Sequence, residues 1–321
     1  IEDVTVVPEQ EYPNGNFTTC PFPNPEIKEA LAKGLELCNV VKPDLLLATD
    51  PDCDRVGIAV PSDNGYELFT GNEVGAMLLE YICSERTKMG TMPADPVAVK
   101  TIVTTDIAAK IAEEYGVKLI EVLTGFKFIG EQIGFLEDKG QEDRYIFGFE
   151  ESYGYLAGSY VRDKDAVVAS MLICEMAAFY RTKGISLIQA RENMYKKYGV
   201  YVHSQSSFVC EGVTGMERMK EIMSDLRTNT PKTIGGLTVT RFEDYLASTS
   251  VDTATGAKTM LTLPKSDVLT FKLTDGASVI IRPSGTEPKI KAYYTTTGTT
   301  KAEASALEKT ISDDFAKILG F

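Results

Sequence analysis

The chain has 321 residues and a formal net charge of −13, with 43% hydrophobic and 25% charged residues. This length is sufficient for two or three domains with separate cores. The negative charge argues against nucleic acid or an anionic membrane as a partner, and no apolar run approaches the roughly 20 residues of a membrane span. Six cysteines without a C-x-x-C pair argue against a zinc site or a disulfide framework and favour a cytoplasmic location.

The first ninety residues predict a mixture of strands and helices. An apolar run at residues 4–7 predicts a strand, and Asn24 with the following proline suits the start of a helix. Two further strands are predicted at residues 45–48 and 56–60, on either side of a polar loop. Residues 89–96 contain glycine and two prolines, which indicates a linker between domains.

From residue 97 the pattern alternates between strands and helices. Strands are predicted at residues 97–103, 117–122 and 145–149, with a helix at 106–115 and a second helix-like stretch between them. This βαβαβ order predicts a three-layer α/β domain. A further helix is predicted from about residue 165 to 183, with an apolar stripe made of Val167, Met171, Cys174 and Ala178.

After Tyr198 strand-like runs outnumber helices. The two helices are predicted near residues 216–226 and 302–319, and the second should be capped by Thr300 and Glu303. The pattern predicts a small α+β domain with a mostly antiparallel sheet.

The loop between the two strands near residue 50 carries three alternating carboxylates, Asp50, Asp52 and Asp54. Such charges repel one another unless a cation neutralises them, and Mg²⁺ and Ca²⁺ both take oxygen ligands. Arg55 could then face a phosphate that shares the metal. An EF-hand is excluded because it requires glycine at position 55 and glutamate where the chain has Pro61. The alternative is a solvated acidic turn or a helix-capping aspartate.

Two other loops follow predicted strands. Glu150, Glu151 and Ser152 lie at a strand end, where α/β sheets bind ligands, and could bind the vicinal hydroxyls of a sugar. A surface turn is the alternative. Residues 282–286 (Arg-Pro-Ser-Gly-Thr) combine a guanidinium, two hydroxyls and a glycine, which suits a phosphate. The alternative there is a polar β-turn.

Several basic residues and one histidine need separate explanations. Arg162 and Lys164 precede a predicted helix N-terminus, where they would repel the positive end of the helix dipole unless a phosphate lay there. Lys127 lies between glycines and is ambiguous by itself. His203, the only histidine, lies in a strand-like run and is interpreted as structural.

Taken together, these loops resemble the α-D-phosphohexomutase superfamily, the phosphoglucomutase and phosphomannomutase enzymes. Pro51 and Cys53 replace the glycines that are more usual in the family's metal-binding loop. The resemblance runs essentially from end to end and covers the metal-binding loop (residues 50–55), the loop that helps to read sugar orientation (124–127), the sugar-binding loop (150–152) and the phosphate-binding loop (282–286).

The resemblance implies a role for each site residue. Lys164 falls where phosphoglucomutases carry a lysine near the reacting groups, and Arg55 is placed with it as catalytic. The implied metal ligands for Mg²⁺ are Asp50, Asp52 and Asp54. The implied substrate-binding residues are Thr124, Gly125, Lys127, Glu150 and Ser152 (the last two on sugar O3 and O4), Arg162, and Arg282, Ser284, Gly285 and Thr286.

The family fold implies two three-layer α/β domains with mixed sheets, the first truncated, followed by a C-terminal α+β domain with an antiparallel sheet. The corresponding boundaries are 1–90, 91–198 and 199–321. The family's phosphorylated serine belongs to a Thr-x-Ser-His-Asn-Pro loop that the sequence does not contain. We therefore expect a C-terminal fragment that lacks the serine domain and that binds substrate without turnover.

The implied function is an isomerase that interconverts glucose 1-phosphate and glucose 6-phosphate through a phosphoserine and a hexose bisphosphate intermediate. Phosphomannomutase, phosphopentomutase and aminosugar mutase remain alternatives, because one sugar loop does not settle an epimer. A non-catalytic protein that binds sugar phosphates is another alternative. A Mg²⁺-dependent phosphatase is the last, and the Asp50 loop resembles that signature only superficially.

Overall fold

The computed structural model describes residues 1, 3–210, 214–284 and 287–321. The chain divides into two compact units, Ile1–Tyr198 and Gly199–Phe321. The predicted domain boundaries after residues 90 and 198 stay predictions.

The acidic loop joins two strands of a small antiparallel sheet in the first unit. Helix α1 (Ala32–Val41) is followed by β1 (Leu46–Thr49), β2 (Val56–Ser62) and β3 (Gly65–Phe69), paired in that order. All three strands pair antiparallel, so the mixed pairing expected for this sheet is not seen in its described strands. The strand predicted at residues 4–7 is also wrong, because that segment has no strand assignment and is mostly exposed to solvent.

The second sheet of the first unit has the predicted α/β character. Its strands β4 (Val97–Thr101), β5 (Lys118–Val122) and β6 (Tyr145–Glu150) are parallel, and β7 (Gly154–Leu156) pairs antiparallel to β6. The order across the sheet is β5-β4-β6-β7. Because β4 and β6 are parallel neighbours, their ends lie side by side, which positions the loops that follow them.

The remaining α-helices described in the first unit lie after the small sheet. They are α2 (Gly71–Met89), α3 (Ile107–Tyr115), α4 (Phe126–Glu137), α5 (Ala166–Thr182) and α6 (Leu187–Tyr198).

The buried face of α5 differs from the predicted one. Val167 and Met171 are exposed at 67% and 57%, whereas Ala169, Ile173 and Met176 are buried. This helix is apolar on nearly all sides, so its periodicity could not select the face that packs.

The second unit is a large antiparallel sheet covered by helices, as predicted. Its strand order is β12-β11-β10-β13-β14-β15-β8, with β9 paired to β10. The core between sheet and helices includes Phe271, Tyr294 and Phe315. The strands are β8 (Val200–Val209), β9 (Thr233–Ile234), β10 (Leu237–Asp244), β11 (Thr249–Asp252), β12 (Lys258–Met260), β13 (Leu269–Leu273), β14 (Ser278–Pro283) and β15 (Lys289–Gly298), and the helices are α7 (Gly215–Thr228) and α8 (Lys301–Leu319).

The predicted fold class is confirmed: α/β architecture comes first and an antiparallel α+β unit follows. No helix in the described part of the chain is long and apolar enough to cross a membrane.

Candidate active site

Asp50 organises the acidic loop between β1 and β2. Its carboxylate is buried and accepts backbone N–H groups of Asp54 (3.1 Å) and Arg55 (3.2 Å), as well as the Arg55 Nε–H (2.9 Å). Burial by itself would raise the pKa of Asp50, but these hydrogen bonds outweigh it and lower the pKa. Asp50 therefore remains ionised and fixes the conformation of the loop.

Arg55 is held from two directions. Besides Asp50, its guanidinium forms an ion pair with Glu26 (Nη1 to Oε1, 3.0 Å) and donates to Asn24 Oδ1 (3.4 Å). These acceptors hold the guanidinium beside the acidic loop. The phosphate that the sequence suggested as a partner of Arg55 stays a prediction.

The other two aspartates of the loop differ in environment. Asp52 is exposed, whereas Asp54 Oδ2 lies 3.1 Å from Lys164 Nζ. Burial raises the pKa of Asp54, the ion pair with Lys164 opposes this, and the nearby Asp50 carboxylate raises it further. Two carboxylates that perturb each other in this way suit a hard cation, which would relieve their repulsion.

The arrangement of these side chains is not that of a closed metal site. Within residues 1, 3–210, 214–284 and 287–321, no group of three or more Asp, Glu, His or Cys side chains lies close enough to hold a metal ion. Arg55 and Lys164 form ion pairs with two carboxylates of this loop. The carboxylate oxygens fit Mg²⁺ chemically, and ligation by Asp50, Asp52 and Asp54 stays a prediction.

The loop between β6 and β7 packs directly on the acidic loop. The Val56 N–H donates to the Tyr153 carbonyl (3.1 Å), and Arg55 forms an isolated antiparallel bridge with Gly154. Glu150 is buried at the end of β6, and Glu151 and Ser152 are half-buried beside it. The predicted metal-binding and sugar-binding loops therefore form one surface.

Glu150 is a weaker acid than an ordinary glutamate side chain. Burial, followed by the charge of Glu151, raises its pKa to about 7, while a hydrogen bond with Ser152 and the charge of Lys164 act in the opposite direction. A carboxyl group of this kind exchanges protons near neutral pH. It can donate as well as accept hydrogen bonds.

Lys164 joins the acidic loop to the segment before α5. Its ammonium lies 3.1 Å from both Asp54 and Asp163 and 5.7 Å from the centre of the Phe126 ring. Burial would lower the pKa of Lys164, but the two carboxylates raise it. The segment is further fixed because Asp165 caps α5 through the N–H groups of Val167 (2.8 Å) and its neighbour.

Arg162 also fixes the segment before α5, through contacts with α4 and with two nearby carbonyl groups. Its guanidinium pairs with Glu137 on α4 and donates to the carbonyls of Ser159 and Val161. Its own carbonyl lies so close to Gly130 that a Cβ added there would be 2.2 Å away. The structure thus shows Arg162 tying the segment to α4, and its predicted contact with substrate stays a prediction.

The loop at residues 124–127 begins α4. Gly125, with φ +122°, is the residue before the helix, a conformation that favours glycine. The Thr124 hydroxyl is buried, and no hydrogen-bond partner is found for it among the residues that the structure describes. Lys127 is exposed, with its ammonium 4.9 Å from the Phe128 ring.

The predicted phosphate-binding loop lies in the second unit, at the end of β14. Arg282 donates from Nε to the Tyr293 hydroxyl (3.3 Å) on β15. The Ser284 N–H donates to the Lys289 carbonyl (2.8 Å), and its hydroxyl accepts from the Glu287 N–H (3.3 Å). The other two predicted residues of this loop, Gly285 and Thr286, lie outside the described residues.

Three family models match the chain. The model "Phosphoglucomutase/phosphomannomutase, alpha/beta/alpha domain II" matches residues 1–64, the model of domain III matches 70–198, and that of the C-terminal domain matches 227–313. The chain belongs to the α-D-phosphohexomutase superfamily.

Individual relatives agree with this assignment. Phosphoglucomutase of Staphylococcus aureus (strain bovine RF122 / ET3-1) is 38% identical over 282 residues, which are 88% of this chain and 50% of that protein. Phosphoglucomutase of Staphylococcus saprophyticus is 36% identical over 287 residues, 89% of this chain and 51% of that protein. The chain spans about half the length of the curated relatives it matches.

Solved structures share the fold. The open form of pp63/parafusin, a phosphoglucomutase from Paramecium, has a TM-score of 0.65 at 20% identity, and the match covers 93% of this chain and 50% of that one. A putative phosphomannomutase from Thermus thermophilus has a TM-score of 0.59 at 21% identity, with 93% and 51% coverage.

The sequence reasoning missed several residues that contact the predicted site residues. Glu26 and Asn24 hold Arg55, and Thr101 and Thr104 contact Glu151. Asn24 was predicted only as the start of a helix, and no local pattern distinguishes the other three from ordinary residues. The end of β4 was the available signal for the two threonines, because Thr101 ends this strand, Thr104 follows it, and the ends of adjacent parallel strands meet.

Proposed function

We propose that this chain forms the metal-, sugar- and phosphate-binding part of a phosphoglucomutase-type hexose phosphate mutase. The enzyme would interconvert glucose 1-phosphate and glucose 6-phosphate. The observation that carries the proposal is the convergence of the acidic loop, the sugar loop and Lys164, joined by the contact between Lys164 and Asp54. The names of the Staphylococcus relatives support glucose as the sugar.

The proposed reaction moves a phosphoryl group twice. A phosphoserine would donate its phosphoryl group to the free hydroxyl of the hexose monophosphate, giving a hexose bisphosphate. After this intermediate reorients, its other phosphoryl group would return to the serine and leave the isomeric monophosphate. Residues 1–321 contain no Thr-x-Ser-His-Asn-Pro motif, so in this proposal the serine lies outside them and this chain alone does not turn over substrate.

The sugar loop must accept the hexose in both orientations. Glu150 and Ser152 would contact O3 and O4, and the loop at Thr124, Gly125 and Lys127 would help to read the orientation. A carboxyl group with a pKa of about 7 suits this task, because in its neutral form it both donates and accepts hydrogen bonds.

The acidic loop would provide the electrostatic part of catalysis. Asp50, Asp52 and Asp54 would hold Mg²⁺, which when bound would neutralise charge on the phosphoserine. Lys164 is kept protonated by Asp54 and would present its positive charge to the phosphoryl group in transfer.

The phosphate that does not react would bind in the second unit. Arg282 supplies a planar guanidinium, and Ser284 supplies a hydroxyl at the end of the same strand. Gly285 and Thr286 belong to the proposal from the sequence, and Arg162 would be a further substrate contact. A cytoplasmic location is part of the proposal and is supported by six free cysteines.

A calorimetric titration tests the proposal. Glucose 1-phosphate and mannose 1-phosphate are titrated separately, with Mg²⁺, into the chain and into its Arg282→Ala variant. Arg241→Ala is the matched control, because it removes an exposed arginine from the same sheet. We expect glucose 1-phosphate to bind, roughly tenfold more weakly to Arg282→Ala and unchanged to the control. Binding of mannose 1-phosphate alone would overturn the choice of sugar.

A further inference from the structure

Lys164 is held at both ends of its side chain. The residue after it, Asp165, donates its N–H to the Tyr155 carbonyl on β7 (3.0 Å). The Ala166 N–H donates to the Cys53 carbonyl of the acidic loop (3.2 Å). The backbone of Lys164 is therefore fixed beside β7, while its ammonium is paired with a carboxylate of the acidic loop. The path of the four-carbon stem between these two ends decides whether the ammonium reaches that loop.

Gly154, the first residue of β7, lies directly on this path. A Cβ atom built on Gly154 would lie 2.4 Å from Lys164 Cδ, 2.8 Å from Lys164 Cγ and 3.1 Å from Glu150 Oε1. The two carbon–carbon distances are well inside the roughly 3.5–4.0 Å of an ordinary contact. Gly154 does not have a positive φ, so its backbone conformation alone does not require glycine. The close approach of the Lys164 stem is what a larger residue would prevent.

The backbone of Gly154 is fixed by two neighbouring segments. It pairs antiparallel with Glu150 of β6 and forms the isolated bridge with Arg55. A methyl group at this position could therefore not be accommodated by a shift of β7 without breaking these pairs. The flexible side chain of Lys164 would move instead. At Gly130, by contrast, the atom nearest to such a Cβ is a backbone carbonyl oxygen, at 2.2 Å, so a substitution there would displace a whole segment.

We propose that Gly154 is a positioning residue for Lys164: because this point of β7 carries no side chain, the lysine stem passes over the strand and its ammonium reaches Asp54. The inference rests on the proposed function for the task of Lys164 in phosphoryl transfer, and it adds a residue outside the predicted site residues. Even the smallest side chain, a methyl group, would occupy the path of the stem. Gly154 thus acts on the reaction only through the place of the Lys164 charge.

The position of Lys164 can be measured without any ligand. The chain and its Gly154→Ala variant are treated with a limiting amount of N-hydroxysuccinimidyl acetate, and mass spectrometry gives the acetylation rate of each lysine. In the wild type the Lys164 side chain is only 17% exposed and is paired with Asp54 and Asp163, so it should react slowly. In Gly154→Ala its rate relative to the exposed Lys139 should rise about threefold, the size expected for the loss of one partly exposed ion pair.

Two controls separate this effect from a general loosening of the fold. Lys100 has a side chain with 0% exposure and should react equally slowly in every variant. Gly134→Ala is the matched substitution, because a Cβ at Gly134 on α4 would have nothing within 4 Å, and it should leave the rate of Lys164 unchanged. An unchanged Lys164 rate in Gly154→Ala would overturn the proposal. So would an equal rise at Lys100, because Gly154 would then support the fold as a whole.

Binding of glucose 1-phosphate separates this inference from the proposed function. In calorimetric titrations with Mg²⁺, Lys164→Met should weaken binding about tenfold, the loss of one charged partner. Gly154→Ala should weaken it by a smaller factor, and should add nothing in the Lys164→Met background, because the glycine acts through the lysine. Full additivity of the two substitutions would overturn the proposal and assign Gly154 to Glu150 instead. Absence of binding to the wild type would contradict the proposed function, whereas the acetylation result does not depend on a ligand.

Discussion

The two units of the chain differ in how many of their described charged side chains are buried. Among the described residues, five charged side chains are buried in the first unit, whereas only Asp244 is buried in the second. The five of the first unit are Asp50, Glu73, Lys100, Glu150 and Arg191.

The buried charges of the first unit hold neighbouring groups in place. Buried charges require partners, so each of them fixes the geometry of its neighbours. Two of the five, Asp50 and Glu150, are predicted site residues, and Lys100 supports the turn that contacts the sugar loop. The second unit keeps Arg282 half-buried against the buried Tyr293, and phosphate binding by Arg282 stays a prediction.

The largest effect should come from breaking the buried pair of Arg191 and Glu73. Arg191 Nη1 lies 3.4 Å from Glu73 Oε1 and 2.7 Å from Glu67 Oε1. Arg191→Met leaves Glu73 buried without its counter-charge and should reduce the free energy of unfolding by about 3–5 kcal/mol. Urea unfolding followed by circular dichroism measures this. Adding Glu73→Gln should restore most of the loss, and a double variant as unstable as the single one would contradict the explanation.

The next largest effect is the pH-dependent contribution of Glu150 to the free energy of unfolding. Its pKa is about 7 in the folded chain and near 4.5 when unfolded, so the folded state binds the additional proton between these values. Stability from this group is thus present below pH 4.5 and is lost as pH rises to 7. Glu150→Gln should therefore be more stable than the wild type by about 3 kcal/mol at pH 8 and equal at pH 4.

The control for this experiment is Glu131→Gln, which changes an exposed carboxylate on α4. It measures what the loss of one surface charge does to stability over the same pH range. A constant difference between Glu150→Gln and the wild type from pH 4 to pH 8 would contradict the prediction.

The second unit should lose less free energy of unfolding when its buried Asp244 loses the partner Arg227. Arg227 pairs with Asp244 (3.0 Å) and Asp267, but Asp244 also accepts N–H groups from Leu246 (2.9 Å) and Ala247 (3.3 Å). Arg227→Met should therefore cost about 1–2 kcal/mol in urea unfolding. A loss as large as that of Arg191→Met would remove the distinction between the units.

The smallest effect concerns backbone conformation in the acidic loop. Cys53 is exposed and has φ +55°, the same value as Ser248 in a turn of the second unit. Cys53→Gly and Ser248→Gly should each stabilise the chain by about 0.5 kcal/mol, because glycine adopts this conformation without strain. Cys53→Val should destabilise it, since a β-branched residue is least tolerated there. Thermal unfolding ranks the variants, and a valine variant more stable than the glycine one would contradict this explanation.

Much of the local structure was predictable from neighbouring residues. Strands β4, β5 and β6 with their helices follow from alternating patterns. Thr300 caps α8 as predicted, by accepting the Glu303 N–H (3.2 Å). The Glu303 carboxylate also accepts from the Thr299 N–H (2.9 Å). His203 lies in β8 beside Thr295, with Nδ1 and Oγ1 3.1 Å apart.

Features that depend on distant packing were not predictable. The buried face of α5 was wrong, because an almost uniformly apolar helix has no preferred side until neighbours cover it. The strand at residues 4–7 was wrong as well. A strand needs a partner for its backbone N–H and C=O groups, and a short apolar run does not specify one.

The sequence by itself determined the fold class, the order of the loops and the residue types that they carry. These follow from composition, periodicity and motifs, which extend over only a few neighbours. Only the tertiary structure decided that Arg55 pairs with Glu26, that Lys164 reaches Asp54, and that Thr101 lies against Glu151. The physical reason is that burial and long-range partners set the charge and position of each group, and both arise only when separate parts of the chain pack together.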